Sequence, residues 1–290
     1  MLKTKIEWCD STWNPITGCR HDCPYCYARR MAQRFSGYDP CYSAKVTQLE
    51  NGCYELDADG RKYKFATSSE GKPGHKVTAP YPFGFEPTFH RYRLEQPKKW
   101  VNPQTIFVCS MADLFGAWVP TKWIVEVLDA CQAAPQHRYI FLTKNPRRYA
   151  ELDRLALLPR EDNFWYGSTI TSKSDRRFNG HIRLNTFLSI EPLHENLDAG
   201  LGSFGGDRWI IIGAETGQRK EKIVPEKEWV DNICEAANLT RAAVFMKDSL
   251  TPIVGEENMR RELPWETETA KSAAQTAGTD AAQDTLMPAT

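Results

Sequence analysis

From residue 100 to residue 250, short apolar runs recur along the chain, each followed by a loop rich in Gly, Pro or charge and then by a stretch with helical spacing. The runs are "TIFVCS" at 105–110, "YIFLT" at 139–143, "FWYGST" at 164–169, "TFLSI" at 186–190, "WIIIG" at 209–213 and "AVFMK" at 243–247. They are β-branched and aromatic without alternation of apolar and polar positions, the pattern of strands covered on both faces, as in a parallel sheet flanked by helices. Ile124, Val127, Leu128 and Cys131 fall at i, i+3, i+4 and i+7 after Pro120, and Trp229, Ile233, Ala236 and Ala237 form a second stripe after Pro225. Alternating strand and helix predicts an α/β fold of βα repeats, either a barrel or an open doubly wound sheet.

One unit precedes these. "KIEWCDSTWNP" supplies a first strand, a cysteine-rich loop follows, and Ala28, Met31, Ala32 and Phe35 mark one apolar helix face. Loops after the C-terminal ends of strands form the active face in both architectures. Residues 37–99 interrupt the repeat. They are rich in Gly, Pro and Tyr, "YELDADGRKYKF" reads as a hairpin around an Asp-Gly turn, and there are too few aliphatic residues for a separate core. We read one domain over 1–265 with an insertion at 37–99 lying over the active face. The last 25 residues, 266–290, are small and polar and cannot bury enough surface to offset their ordering entropy, so a disordered tail is expected.

Composition narrows the class. The 290 residues are 41% apolar and 26% charged, with zero formal net charge, so there is no global pull toward nucleic acid or membrane. The tail carries four acids and one lysine, which leaves the body mildly basic. No run of eighteen apolar residues occurs and "MLKTKIEWCD" has no apolar stretch behind its lysines, so no membrane interaction and a cytoplasmic location are expected. Nine cysteines, an odd number without an even ladder of spacings, suit a reducing compartment.

Three of those cysteines crowd into "TGCRHDCPYC": Cys19, Cys23 and Cys26, spaced C-x3-C-x2-C. Three thiolates do not complete a tetrahedral site. Zinc would require His21 or a remote fourth ligand, and no second C-x2-C pair exists. A four-iron cluster with one iron left open accounts for the missing ligand, and the third possibility is that the thiols are small buried hydrophobes. A solvent-facing His21 is expected, Cys41 and Cys53 are too few for a second cluster, and Cys109, Cys131 and Cys234 lie in core patterns.

The spacing, with Tyr25 as the aromatic before the last cysteine, on a loop after a first strand and ahead of βα repeats, resembles the radical S-adenosylmethionine superfamily. More closely, "IEWCDSTWNPITGC", "CYA", "SMADLFG", "LTKNPRR", "LSIEPL" and "IIIGAETG" are similar to the phage Gp37/Gp68 proteins, the DUF5131 family, over residues 5–250 apart from the insertion. Cys9 departs from that pattern, standing where Thr is expected. The resemblance implies a partial, TIM-like (β/α) barrel of the radical S-adenosylmethionine type. It also implies a [4Fe-4S] cluster on Cys19, Cys23 and Cys26, whose open iron chelates the amino and carboxylate groups of S-adenosyl-L-methionine. Reductive cleavage of that cofactor then yields the radical that abstracts hydrogen from substrate, with a flavodoxin or ferredoxin as electron donor. The rival function is a zinc-stabilised nucleic-acid-binding or scaffold protein without catalysis.

Polar residues stand where the apolar runs stop. By analogy with the superfamily, Ser110 and Asp113 meet the methionine amine, Ser168 and Ser189 with Glu191 meet the ribose and carboxylate, Gly213 admits backbone to adenine, Tyr25 lies near adenine, and Lys144 and Glu215 complete the rim. A lone Ser or Glu at a strand end also serves as a helix cap. "TKNPRR", "TSKSDRR" and "TGQRKEK" put Lys144, Arg147, Arg148, Lys173, Arg176, Arg177, Arg219 and Lys220 in post-strand loops, near predicted helix starts where acids are favoured. They face either solvent and neighbouring acids, or the phosphates of a nucleotide or nucleic-acid substrate.

Overall fold

A computed structural model describes residues 4–36, 46–57, 61–64, 75–78, 80–178, 184–197, 205–217 and 219–266. In chain order its elements are β1 (Ser11–Trp13), β2 (Ile16–Thr17), α1 (Tyr27–Phe35), β3 (Val46–Gln48), β4 (Tyr54–Leu56), β5 (Arg61–Lys64), β6 (His75–Thr78), β7 (Thr88–His90) and β8 (Thr105–Val108), then α2 (Thr121–Gln132), β9 (Arg138–Thr143), α3 (Arg147–Arg154), β10 (Phe164–Thr169), β11 (Asn185–Ile190), β12 (Asp207–Ile212), α4 (Lys227–Thr240), β13 (Ala243–Met246) and the short α5 (Thr251–Val254). All six predicted runs are strands.

Seven of the strands form one parallel sheet in the order β1-β8-β9-β10-β11-β12-β13, so each strand lies beside its successor once the insertion is set aside. The sheet curls into a half-barrel, as a partial β/α barrel requires. Its concave face carries every second residue: Phe107, Ile140, Leu142, Trp165, Phe187, Trp209, Ile211 and Phe245 pack with Trp8 in one cluster. Fully burying side chains of this kind contributes ~1.5–3 kcal/mol each. Gly167 keeps this face closed, since a Cβ there would stand 2.2 Å from the Phe187 ring. The convex face is covered by helices. Trp123, Ile124, Val127, Leu128 and Cys131 of α2 and Tyr149 and Leu152 of α3 pack on Tyr139, Phe141, Phe164 and Tyr166. Val230, Ile233 and Ala237 of α4 pack on β11, β12 and β13.

β1 and β13 do not pair, and the gap between them is spanned from the N-terminal segment. The Glu7 carboxylate accepts from the Asp248 backbone N–H at 2.8 Å and from Arg261.

Three expectations change. The strand-loop-helix theme fails after β10 and β11, whose connections hold no helix among the described residues, because Thr171–Arg177 and its counterpart carry no apolar stripe. The hairpin expected across "YELDADGRKYKF" is not formed: β4 has both edges taken, by β3 and β7, and β5 pairs with β6 instead. The Asp59–Gly60 turn itself lies outside the described residues, as do residues 267–290. On α1 only Ala28 and Ala32 are buried; Met31 and Phe35 are exposed, because the helix approaches the body through its two small residues.

The insertion is joined to the cysteine loop by hydrogen bonds. β2, just ahead of the loop, pairs antiparallel with β7 in a four-stranded sheet of order β2-β7-β4-β3.

Candidate active site

A cavity of about 480 Å³ opens at the C-terminal ends of the parallel strands. Cys19, Cys23 and Cys26 lie on its wall with Tyr25, and Lys144, Ser189, Glu191 and Glu215 face it from other strand ends. The cysteine loop and the ends of β9, β11 and β12 are thus brought together.

The loop carrying the thiols is held by backbone contacts. Gly18 takes φ 89° and donates to Met111 O at 2.9 Å; a Cβ there would stand 2.3 Å from Glu86 O, so only glycine lets the loop pass this close. Cys19 N–H donates to Phe85 O at 3.1 Å and Cys26 N–H to Cys23 O at 3.1 Å. Cys26 then caps α1, its Sγ accepting from Arg29 N–H at 3.4 Å, which sets one sulfur at a helix N-terminus.

His21 is not solvent-facing. Its Nε2 is 2.7 Å from Asp113 Oδ2 and its ring lies edge-on to Trp118 at 4.9 Å. Asp113 is the hub beneath the loop: Oδ2 also accepts from Thr143 Oγ1 at 2.9 Å and Lys144 N–H at 3.0 Å, while Oδ1 accepts from Phe115 N–H at 2.9 Å. A carboxylate with four donors on it anchors the thiol loop to the ends of β8 and β9.

Burial governs the electrostatics here. Desolvation pushes the Cys19 thiol up to about 12 and raises Cys23, and the thiols raise one another. Desolvation lowers the Lys144 ammonium, and the nearby Cys23 opposes that shift by raising it. Lys144 Nζ lies 5.4 Å from the centre of the Tyr25 ring, whose hydroxyl is raised by burial. The opposite wall is built from charge pairs. Glu191 pairs with Lys247; Glu215 accepts from Arg219 Nη2 at 2.6 Å and lies 3.2 Å from His194, itself edge-on to Tyr25 at 5.3 Å. The hydrogen-bonded Arg219 guanidinium holds the Glu215 carboxyl below its ordinary value.

Two of the expected site residues stand outside the cavity lining. Ser168 points to the convex face, where its Oγ accepts from Phe178 N–H at 3.0 Å, and Thr169, one position on, lines the cavity. Gly213 lies under the Glu191–Lys247 pair, both side chains 3.2 Å from where its Cβ would be. Ser110 lines the cavity with its Oγ 3.2 Å from Asn14 Oδ1. Trp8, Phe85, Phe107 and Leu142 form an apolar wall that motif reading did not single out. Period two along the strands marks Phe107 and Leu142 in the sequence; nothing local marks Phe85, which the insertion delivers. Of the loop cations, only Arg147 and Arg148 begin a helix.

Zinc draws its ligands to a single point, and among the described residues no three His, Cys, Asp or Glu side chains converge so closely. In a four-iron cluster each cysteine binds a different iron, so the sulfurs stand apart. Among the described residues no fourth thiol lines the cavity: Cys9 packs against the concave cluster with its thiol pushed by burial up to about 12, and Cys53 is buried beside Trp118 O at 3.5 Å. Cys41 lies outside the described residues. Three thiols without a fourth fit a cluster with one iron left open.

The chain belongs to the family described as "Protein of unknown function (DUF5131)", which it matches over residues 3–263. No curated protein and no solved structure matches it. No helix among the described residues is long and apolar enough to cross a membrane.

Proposed function

We propose that this protein is a radical S-adenosylmethionine enzyme on a partial barrel of that type. Cys19, Cys23 and Cys26 hold a [4Fe-4S] cluster, and the cavity beside them holds S-adenosyl-L-methionine and the substrate atom that loses hydrogen. The observation that supports this reading is the set of three thiols, with no fourth among the described residues, on the wall of a cavity of ligand size. The cluster supplies the electron for reductive cleavage of the cofactor and hence the capacity to abstract hydrogen; a flavodoxin- or ferredoxin-type protein supplies that electron in turn.

The chain's own residues have three tasks. Trp8, Phe85, Phe107 and Leu142 exclude water from the reacting centre. Lys144 sets a positive charge beside thiolates that burial disfavours. Glu191, Glu215 and Ser189 offer acceptors and donors on the far wall for the polar groups of the cofactor, with Lys247 and Arg219 fixing the two carboxylates.

Anaerobic purification followed by iron and sulfide analysis tests this. A brown protein that cleaves S-adenosyl-L-methionine on reduction, and loses both colour and cleavage in Cys19→Ala/Cys23→Ala/Cys26→Ala, is expected. A colourless zinc protein, or cleavage that survives the triple substitution, overturns the proposal.

A further inference from the structure

We propose that the cavity between α3 and the loop after β10 is a phosphate-backbone site for single-stranded nucleic acid, and that the strand held there presents a base to the thiol-lined cavity. This names the substrate class for the reading above and rests on it for the chemistry, but not for binding.

The second cavity measures about 560 Å³ and is lined by Arg147, Arg154, Arg176 and Arg177 together with Asp153 and Phe178. The acid in its lining is engaged, Asp153 being bonded by Arg160 at 2.7 Å; Asp175, beside Arg176, accepts from Thr171 and Ser172, and Arg177 lies 3.8 Å from the buried Asp207. Arg147, Arg154 and Arg176 have no acidic partner among the described residues. Arg147 opens α3, whose first turn holds no acid, so its charge opposes the field of the helix. Three exposed cations without counter-charge around one recess concentrate positive potential there, which draws in an anion.

Spacing selects the anion. Arg147 and Arg154 are seven residues apart on one helix, about 10 Å along its axis, too far to close on a single phosphate. Phosphates rise about 3.4 Å per step along one strand of a duplex and stand farther apart in an unwound strand, so that length takes in roughly two to three of them, and planar guanidinium groups match phosphate oxygens well. Position selects a single strand. A recess between a helix and a loop does not admit a duplex, and a base must leave its stack to enter an enclosed cavity. Both walls of the arginine cavity also grow from strand ends that line the thiol cavity. β9 leads through Thr143 and Lys144 to Arg147, and β10 leads through Thr169 to Arg176.

The test is fluorescence anisotropy of the purified full chain with oligonucleotides of about 12 nucleotides, as DNA, RNA and duplex DNA, over a range of salt. A log-log salt slope near −2 is expected for a single strand, at roughly −0.7 per phosphate neutralised. In Arg147→Gln/Arg154→Gln/Arg176→Gln the slope collapses toward zero and affinity falls at least about tenfold, with iron content and thermal unfolding unchanged. The DNA and RNA arms tell which polymer supplies the phosphates. A flat salt dependence, a triple variant that binds as the parent does, tighter binding of duplex, or displacement by inorganic phosphate at equal concentration overturns the proposal. Arginine-dependent binding by a protein without iron leaves this site standing and removes the enzymatic reading; an active cluster with no such binding does the reverse.

Discussion

The two walls of the thiol cavity are built by opposite means. On the cysteine side, the groups are sunk in the wall: partly buried thiols, a desolvated Lys144, and a loop pinned by backbone bonds and by one carboxylate that serves four donors. On the side of β11, β12 and β13, charge is present and paired, as Glu191 with Lys247 and Glu215 with Arg219 and His194. The first wall is rigid because breaking any part leaves a buried group unsatisfied. In the second the partly exposed Glu191–Lys247 pair can exchange partners, since a side chain that leaves it meets water or ligand, while Glu215 stays buried with Arg219 and His194. Under the proposed function, the cluster would need fixed ligands and the cofactor groups that can be re-paired.

The largest expected effect breaks the rigid wall. Asp113→Ala strands His21, Thr143, Lys144 N–H and Phe115 N–H around a hole, and should cost about 3–5 kcal/mol of unfolding free energy in urea titration. It should also lower iron content in proportion. A loss below about 1 kcal/mol would show that the loop is held elsewhere.

A second test isolates a carboxylate remote from both walls. Asp207, at the start of β12, is raised by desolvation from 3.8 to about 6. The folded state then keeps a proton that the unfolded state has released, so stability falls as pH rises through that window, by roughly 3 kcal/mol. Denaturation curves from pH 4 to pH 6 should show the fall, and Asp207→Asn should abolish it. The lowered Glu215 gives the opposite sign: its contribution is present above its ordinary pKa of 4.5 and is lost as pH drops through the lowered value. The smallest effect concerns the exchangeable wall. Glu191→Gln should change stability by less than about 1 kcal/mol, because the pair with Lys247 is partly exposed, while weakening cofactor binding measured by calorimetry. Equal losses in both measurements would make Glu191 structural and erase the contrast between the walls.

Much of the fold is legible in the sequence, because strands buried on both faces advertise themselves as unbroken apolar runs and α2 and α4 as stripes after Pro120 and Pro225. The same property hides which face each residue takes. In "FWYGST" nothing apolar or polar separates Ser168 from Thr169, and only the pairing of neighbours through Gly167 and Phe187 decides that Thr169 points inward. Sheet partners in the insertion were illegible for another reason. An Asp-Gly turn is a local signal, but β4 found longer-range partners in β3 and β7. The thiol loop was read as a possible metal site from spacing alone, whereas the anchoring role of Asp113 with His21 arises from contacts across about ninety residues of chain, which no local pattern encodes.

The seam closed by Glu7 has a consequence for behaviour in salt. Its fasteners, Arg261 and the Asp248 backbone, hold an exposed carboxylate rather than a ladder of strand bonds, and such attachments weaken as ionic strength rises. A cylinder lacking an arc, held there by this clasp and by Trp8 packed against Trp209, is closed on that flank by side chains alone, so the seam is where added salt should loosen it first.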